Sequence, residues 1–180
     1  MRFTVTRERE IFRGRVFTLV DKDVVLPNGR RTRLNIVEHP GAVAVVPLFD
    51  NGDVMLLRQF RLAAAGTIYE IPAGTREPGE APRATAFREV VEETGFRAKV
   101  LVRLAEFFTA PGFCTERMVL YVARGLTPAE AEGDADEVIR PVRTPFRTAL
   151  RMIDQGRIRD AKTIAGLLLA ERHLHRRKPK

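Results

Sequence analysis

The stretch Gly74-Thr75-Arg76-Glu77-Pro78-Gly79-Glu80-Ala81-Pro82-Arg83-Ala84-Thr85-Ala86-Phe87-Arg88-Glu89-Val90-Val91-Glu92-Glu93-Thr94-Gly95-Phe96 decides how the rest of this chain is read. At roughly 100° per residue, Ala84 to Thr94 reads as a helix. Ala84, Phe87, Val90, Val91 and the methyl of Thr94 fall on one side, the expected core face. Glu89, Glu92 and Glu93 fall on the other, with Arg88 at the border. Pro82 lies near the first turn, where a missing N–H costs least. Gly95 stands where a helix takes a left-handed residue, and Phe96 can pack back over that end.

The acidic face needs a reason. Like charges four residues apart, as at Glu89 and Glu93, destabilise an isolated helix by about 0.2–0.5 kcal/mol per pair. Arg88 can pair with Glu92, but no other cation of the helix is placed to neutralise Glu89 and Glu93. Either the face is simply solvated, or it is a site for a hard divalent cation, which takes carboxylate oxygens and keeps its remaining positions for water and phosphate.

The spacing decides between these readings. Gly74, five residues, Glu80, seven residues, Arg88-Glu89, an apolar residue, one more, Glu92-Glu93, one more, Gly95 and an apolar residue match the Nudix box position for position. With each residue type near one in fifteen or so, seven fixed identities arise by chance on the order of 10⁻⁸ per start point. The chain resembles a Nudix hydrolase. The resemblance implies a loop–helix–loop that cradles Mg²⁺ or Mn²⁺ over a diphosphate joined to a second moiety.

The remaining elements agree with that family. Val16 to Leu26 and Arg31 to Glu38 read as a β-hairpin about Pro27-Asn28-Gly29-Arg30. Ala42 to Phe49 and Val54 to Phe60 read as a second hairpin about Asp50-Asn51-Gly52-Asp53. Short strands are expected at Tyr69 to Pro72, Ala98 to Phe108, Arg117 to Ala123 and Val138 to Val142. Thr144 is the expected N-cap of a helix that ends before Gly156, and Asp160 the N-cap of a last helix with Ile164, Leu167, Leu168 and Leu174 as its apolar stripe. Strands and helices mix without regular alternation, which predicts an α+β fold, a Nudix-type α/β/α sandwich with a mixed sheet and an N-terminal antiparallel hairpin region. The expected layout is residues 1–40 as that N-terminal region, contributing to a dimer, 41–176 as the Nudix domain, and 177–180 as a basic tail.

Composition sets bounds. With 44% hydrophobic and 30% charged residues over 180 positions, the chain can build a core and is not disordered. The run Ile164 to Ala170 is too short to span a bilayer. The first ten residues hold no apolar signal region, so a cytoplasmic protein is expected. Cys114 alone excludes an internal disulfide framework and reads as a packed residue. The net charge of +8 gathers in the first thirty-odd and last ten residues, without aromatic interleaving, which argues against nucleic acid as a partner.

By the box match, Glu89 and Glu93 are the expected metal ligands, with Glu92 an additional ligand or catalytic group, Arg88 orienting carboxylates and Glu80 serving the loop. Three further features resemble the ADP-ribose pyrophosphatase branch: Leu57-Arg58-Gln59-Phe60-Arg61, Tyr69-Glu70-Ile71-Pro72-Ala73-Gly74, and Pro111 sixteen residues past Gly95. That resemblance implies a metal contact from the Ala73 carbonyl and substrate contacts at Arg61 and, less specifically, Arg58. Glu70 and Glu116 correspond to substrate-side or metal-side acids, or else to structural ion pairs. Family dimers pass N-terminal strands to the partner, which would bring Phe17 and Arg33 to the neighbour's pocket. The general base of this branch comes from a late loop offering Asp134, Asp136 and Glu137; Glu137 fits best because it abuts Val138-Ile139. The implied activity is hydrolysis of a small nucleoside diphosphate sugar such as ADP-ribose by a homodimer. GDP-mannose or dinucleoside polyphosphate hydrolysis is the alternative, and a nucleotide-sugar-binding regulator the non-enzyme one.

Overall fold

Charge in the N-terminal strands is placed in register. The computed structural model describes residues 2–130 and 138–176, and its first strands are β1 (Thr4–Arg13), β2 (Thr18–Val25) and β3 (Arg31–Glu38) in the order β1-β2-β3. The antiparallel register sets Glu8 against Lys22, Arg9 against Asp21, and Asp23 against Arg33. All three become ion pairs, of 2.9, 2.7 and 2.7 Å. Opposite charges across a ladder support pairing where like charges would oppose it. Arg9 and Arg33 are thus accommodated within the sheet, and the hairpin about Asn28-Gly29 stands as expected. Residues 107–118 belong to the same unit. Val37 is tied to them by its N–H to Phe113 O at 2.8 Å and by its carbonyl, which accepts from Thr115 N–H at 2.9 Å.

The second unit comprises residues 42–106 and 119–180. Its strands are β4 (Ala42–Pro47), β5 (Asp53–Arg61), β6 (Gly66–Glu70), β7 (Ala73–Thr75), β8 (Phe96–Arg97), β9 (Val100–Phe108), β10 (Arg117–Arg124), β11 (Thr127–Pro128) and β12 (Ile139–Pro145). β9 and β10 begin or end beyond the unit's bounds. The helices are α1 (Pro82–Thr94), α2 (Phe146–Asp154) and α3 (Ala161–Arg176). One sheet runs β7-β4-β10-β9, a second β12-β5-β6, and β11 pairs with β8.

β4 is buried at every position, because both its faces are covered. Val43 and Val45 join Ala86 and Val90 of α1 in one cluster with Leu101, Val119 and Tyr121. On the opposite face, α3 comes so close that a Cβ on Gly166 would lie 2.7 Å from Ile71 Cδ1 and 3.2 Å from Val46 Cγ2. A strand covered on both sides reads as an unbroken apolar run rather than an alternating one, which is what Ala42 to Pro47 shows. The expected α+β sandwich, helix on sheet on helix, is the fold found.

Three local expectations change. β4 and β5 follow one another through the expected turn but do not pair along their length: they lie in different sheets, joined at the turn by the isolated Leu48–Val54 bridge and the Phe49 N–H to Asp53 O bond of 2.8 Å. A turn motif reports the reversal of the chain and not where the returning strand finds its partner. Thr144 is the penultimate residue of β12, its hydroxyl on Val142 O at 3.3 Å, and Pro145 takes the N-cap position of α2. Asp160 does cap α3, accepting from Thr163 N–H at 2.9 Å, but the buried stripe there is Thr163, Gly166, Leu167 and Ala170, with Leu168 exposed. Close packing at Gly166 sets the phase of the helix, so that Leu167 is buried with small residues beside it while Leu168 turns outward.

Candidate active site

α1 begins at Pro82 and ends at Gly95, whose φ of 71° and N–H to Val91 O close it as the sequence leads one to expect. Its buried face is rotated from the expected one. Thr85, Ala86, Glu89, Val90, Glu93 and Thr94 are buried, Phe87 and Val91 are half-buried, and Ala84 is exposed. Glu89 and Glu93 keep only 8% and 7% of their surface. They are not a solvated face. Ala86 and Val90 anchor the helix on β4, and the two carboxylates are thereby turned toward β7, where polar partners await them.

Glu93 Oε2 accepts the Ala73 N–H at 2.8 Å. Glu89 lies over Gly74 so closely that a Cβ at that glycine would fall within its carboxylate. The glycine is thus required for space, its φ not being positive. Arg88 reaches Glu89 Oε1 at 2.8 Å, Glu92 Oε2 at 2.8 Å and Glu80 Oε2 at 3.2 Å. The pairing with Glu92 was foreseen; the one with Glu89 was not, because a wheel treats adjacent residues as facing apart while a long guanidinium bends between them. Glu80 in turn accepts from Glu77 N–H at 3.2 Å, and its carbonyl receives the Arg76 guanidinium at 2.7 Å, which ties the loop to the helix. Hydrogen bonding from Arg88, opposed by burial and helped by the Glu77 amide, holds the Glu80 carboxyl at about 2. Reciprocally, the Glu80 hydrogen bond raises Arg88 further above its usual value.

These residues suit a hard divalent cation. The Glu89 carboxylate lies over Gly74, the donors are oxygens, and three carboxylates, Glu80, Glu89 and Glu92, share a single guanidinium, leaving excess negative charge. Among the described residues, no three His, Cys, Asp or Glu groups already close on one point. The buried Glu89 and Glu93 carboxylates would give an ion such as Mg²⁺ part of its oxygen shell, with water and phosphate completing it. A groove of ≈ 550 Å³ reaches Glu92, lined also by Val91, Arg97, Thr127 and Pro128, but it touches neither Glu89 nor Glu93. The buried contacts, not the groove, locate the site.

The other predicted residues fall into two groups. Arg61 grips Glu70 with two hydrogen bonds, of 3.1 and 2.8 Å. Lys162 Nζ approaches the same carboxylate at 2.9 Å. Burial pushes the Glu70 carboxyl up, but Arg61 and Lys162 outweigh it and hold it below its usual value. Arg58 lies over the Tyr69 ring at 5.9 Å. Phe17, Arg33, Pro111 and Glu116 belong to the other unit. There Phe17 tilts against Phe12, Arg33 is held by Asp23, and Glu116 accepts from Thr109 Oγ1 at 2.6 Å. Pro111 is exposed in the turn between β9 and β10. Glu137, with Asp134 and Asp136, lies outside the described residues, as does the 177–180 tail.

Two residues escaped the sequence reading. Lys162 carries no signal in the sequence, and the fold brings it to Glu70. Gln59 is 2% exposed and its amide oxygen has no hydrogen-bond partner, on the same strand face as Arg61. The polar residue within an apolar strand was the one available signal.

Two outcomes follow from this geometry. Replacing Gly74 by Ala should weaken Mn²⁺ binding about 10–100-fold, as for a displaced ligand, while the thermal midpoint stays close to wild type; a Mn²⁺ titration and a melting curve check it. The Glu80 contribution to stability is fully present above its unfolded value near 4.5 and is lost as pH falls through about 2. Denaturant unfolding between pH 5 and 2 should therefore show a shallower acid loss in Glu80→Gln than in wild type.

The comparisons with known proteins identify the family. The family model described as NUDIX domain matches residues 38–167. An ADP-ribose pyrophosphatase of Bacillus subtilis is 42% identical over 162 residues, covering 89% of this chain and 87% of its own length. A methanol dehydrogenase activator of Bacillus methanolicus is 43% identical over 160 residues, covering 88% and 86%. The crystal structure of an ADP compounds hydrolase superposes with a TM-score of 0.85 at 27% identity, over 97% of this chain and 95% of the other. With the box residues gathered about Gly74 and the match extending over most of the chain, this protein belongs to the Nudix family.

Proposed function

We propose that this protein is a pyrophosphohydrolase that splits ADP-ribose, or a related nucleoside diphosphate sugar, into a nucleoside monophosphate and a sugar phosphate. The observation that carries the reading is the pair of buried carboxylates, Glu89 over Gly74 and Glu93 on the Ala73 N–H, in a chain 42% identical to an ADP-ribose pyrophosphatase. Nudix hydrolases generally use divalent metal ions, and here Mg²⁺ or Mn²⁺ is the proposed one. Glu89 and Glu93, the Ala73 carbonyl and, more peripherally, Glu92 would hold it. When bound, such an ion neutralises charge on the diphosphate and acidifies the attacking water.

The chain's own groups do the rest. Arg88 keeps Glu89 and Glu92 oriented, and Glu80 keeps Arg88 in place. Arg61 offers a planar fork to the diphosphate or the terminal phosphate-bearing sugar, and Glu70 sets the angle of that fork. Arg58 is a second anion contact in this reading, and Glu70, Pro111, Glu116, Phe17 and Arg33 remain the proposed substrate-side residues. Glu137 takes the proton as the water oxygen bonds to phosphorus. The bond from that phosphorus to the bridging oxygen breaks, and each product leaves as a phosphate monoester.

Homodimerisation is part of the proposal. All ten residues of β1 are exposed, and its outer edge is unpaired among the described residues. Phe3, Ile11 and Phe12 are large apolar side chains left in the open beside it. Such an edge is normally covered or blunted. A cytoplasmic site fits the free Cys114, and no helix among the described residues is long and apolar enough to cross a membrane. A small-molecule nucleotide substrate rather than nucleic acid is part of the same reading.

Assay of ADP-ribose, GDP-mannose and a dinucleoside polyphosphate, with products identified, tests the reading directly. ADP-ribose should yield AMP and ribose 5-phosphate, and Glu93→Gln should abolish that turnover. Turnover retained by Glu93→Gln at the Mg²⁺ concentration that serves wild type would reject the ligand assignment. Glu137→Gln should lower kcat about a hundredfold, the order expected for a lost general base, with KM nearly unchanged.

A further inference from the structure

Three consecutive backbone groups just before Gly74 are each fastened to a different element. Ile71 N–H donates to Thr163 Oγ1 of α3 at 2.9 Å. Pro72 O accepts Val45 N–H of β4 at 2.8 Å. Ala73 N–H donates to Glu93 of α1 at 2.8 Å. Glu70, the residue before them, is 2% exposed and is held by Arg61 and by Lys162 of α3. The strap that carries the Ala73 carbonyl therefore has no freedom of its own. Its position is set by whatever sets α1, β4 and α3.

The α3 anchor has defined chemistry. Asp160 Oδ2 accepts the Thr163 N–H at 2.9 Å and the Thr163 hydroxyl at 2.6 Å, and lies 3.1 Å from Lys162 Nζ. Because the hydroxyl spends its proton on the carboxylate, its lone pairs are free to receive the Ile71 N–H. Thr163 is fully buried. Gly166, one turn on, gives the close approach that lets so short a side chain reach the strap.

We propose that Asp160, Lys162 and Thr163, at the start of α3, are positioning residues for the cation site: through Ile71 and Glu70 they fix the strap whose Ala73 carbonyl and N–H face the cation and Glu93. The inference rests on the proposed metal-dependent activity, and it goes beyond the box, which contains none of these residues. A hydrogen bond to a ligand-bearing strap acts as the partners behind metal ligands do elsewhere, where their loss typically costs 10–100-fold in affinity.

The test is Mn²⁺ binding by the purified full-length protein, followed by electron paramagnetic resonance of the free ion, with a thermal melt of each variant. Thr163→Val is expected to raise the Mn²⁺ dissociation constant at least tenfold, and Thr163→Ser to return it to within about twofold of wild type. Lys162→Met, which keeps the apolar stem, is expected to weaken binding in the same direction. Should Thr163→Val fail to fold, Lys162→Met carries the test. A Val24→Ala variant, at a buried position of the N-terminal sheet, supplies the comparison for lowered stability alone and should bind Mn²⁺ as wild type does. If Thr163→Val and Lys162→Met melt earlier yet bind Mn²⁺ as tightly as wild type, the positioning role is overturned. If wild type itself shows no Mn²⁺ binding that Glu93→Gln removes, the fault lies with the proposed function, on which this inference depends.

Discussion

One guanidinium holds three carboxylates. Arg88 stands among Glu80, Glu89 and Glu92, each of which would repel the others if left alone in so small a volume. Bringing like charges together in a partly buried place is expensive unless a cation is shared between them. The helix supplies one such cation from its own sequence, and the loop adds Glu80 on its far side. The result is a frame that stays folded while still carrying more negative than positive charge at the mouth of the helix. Such an excess is what a dication and a diphosphate would together complete.

Much else in the second unit serves this arrangement. β4 is covered by α1 on one face and by α3 on the other, and the strap before Gly74 is bonded to all three. Packing and polar contact divide the work. Ala86 and Val90 set the height and phase of α1, and Glu89 and Glu93 then meet the strap without adjustable length to spare. Glycine enters twice for the same reason, once at Gly74 beneath a carboxylate and once at Gly166 beneath a side chain.

The box was fully legible because its spacing reports one turn of helix and one tight loop, both local. So was the N-terminal hairpin, whose Asn28-Gly29 turn is a short-range signal, though the pairing of β1 with β2 was not read from it. The phase of α1 was not legible. A helical wheel groups Glu with the polar side, and it is the fold that brings the Ala73 N–H to Glu93 and the space at Gly74 to Glu89, beside the Arg88 guanidinium. The separation of β4 from β5 into two sheets could not be read either, since a turn motif carries no information on which strand the chain will next meet. Lys162 and Thr163 were hidden for the same reason. Their partners lie far away along the chain, and nothing in α3 marks them apart from other helical residues.

Thr163 and Ile71 stand 92 positions apart. During synthesis the box helix and the strap leave the ribosome long before α3 does, and early segments begin to fold as they emerge. The nascent chain can therefore form α1 and even bring Glu93 near Ala73, yet the strap keeps its slack until the last helix arrives to lock it. Completion of the catalytic frame is in this way deferred to a late moment in translation, and a chain cut short before α3 would carry every residue of the motif without the means to hold it in shape.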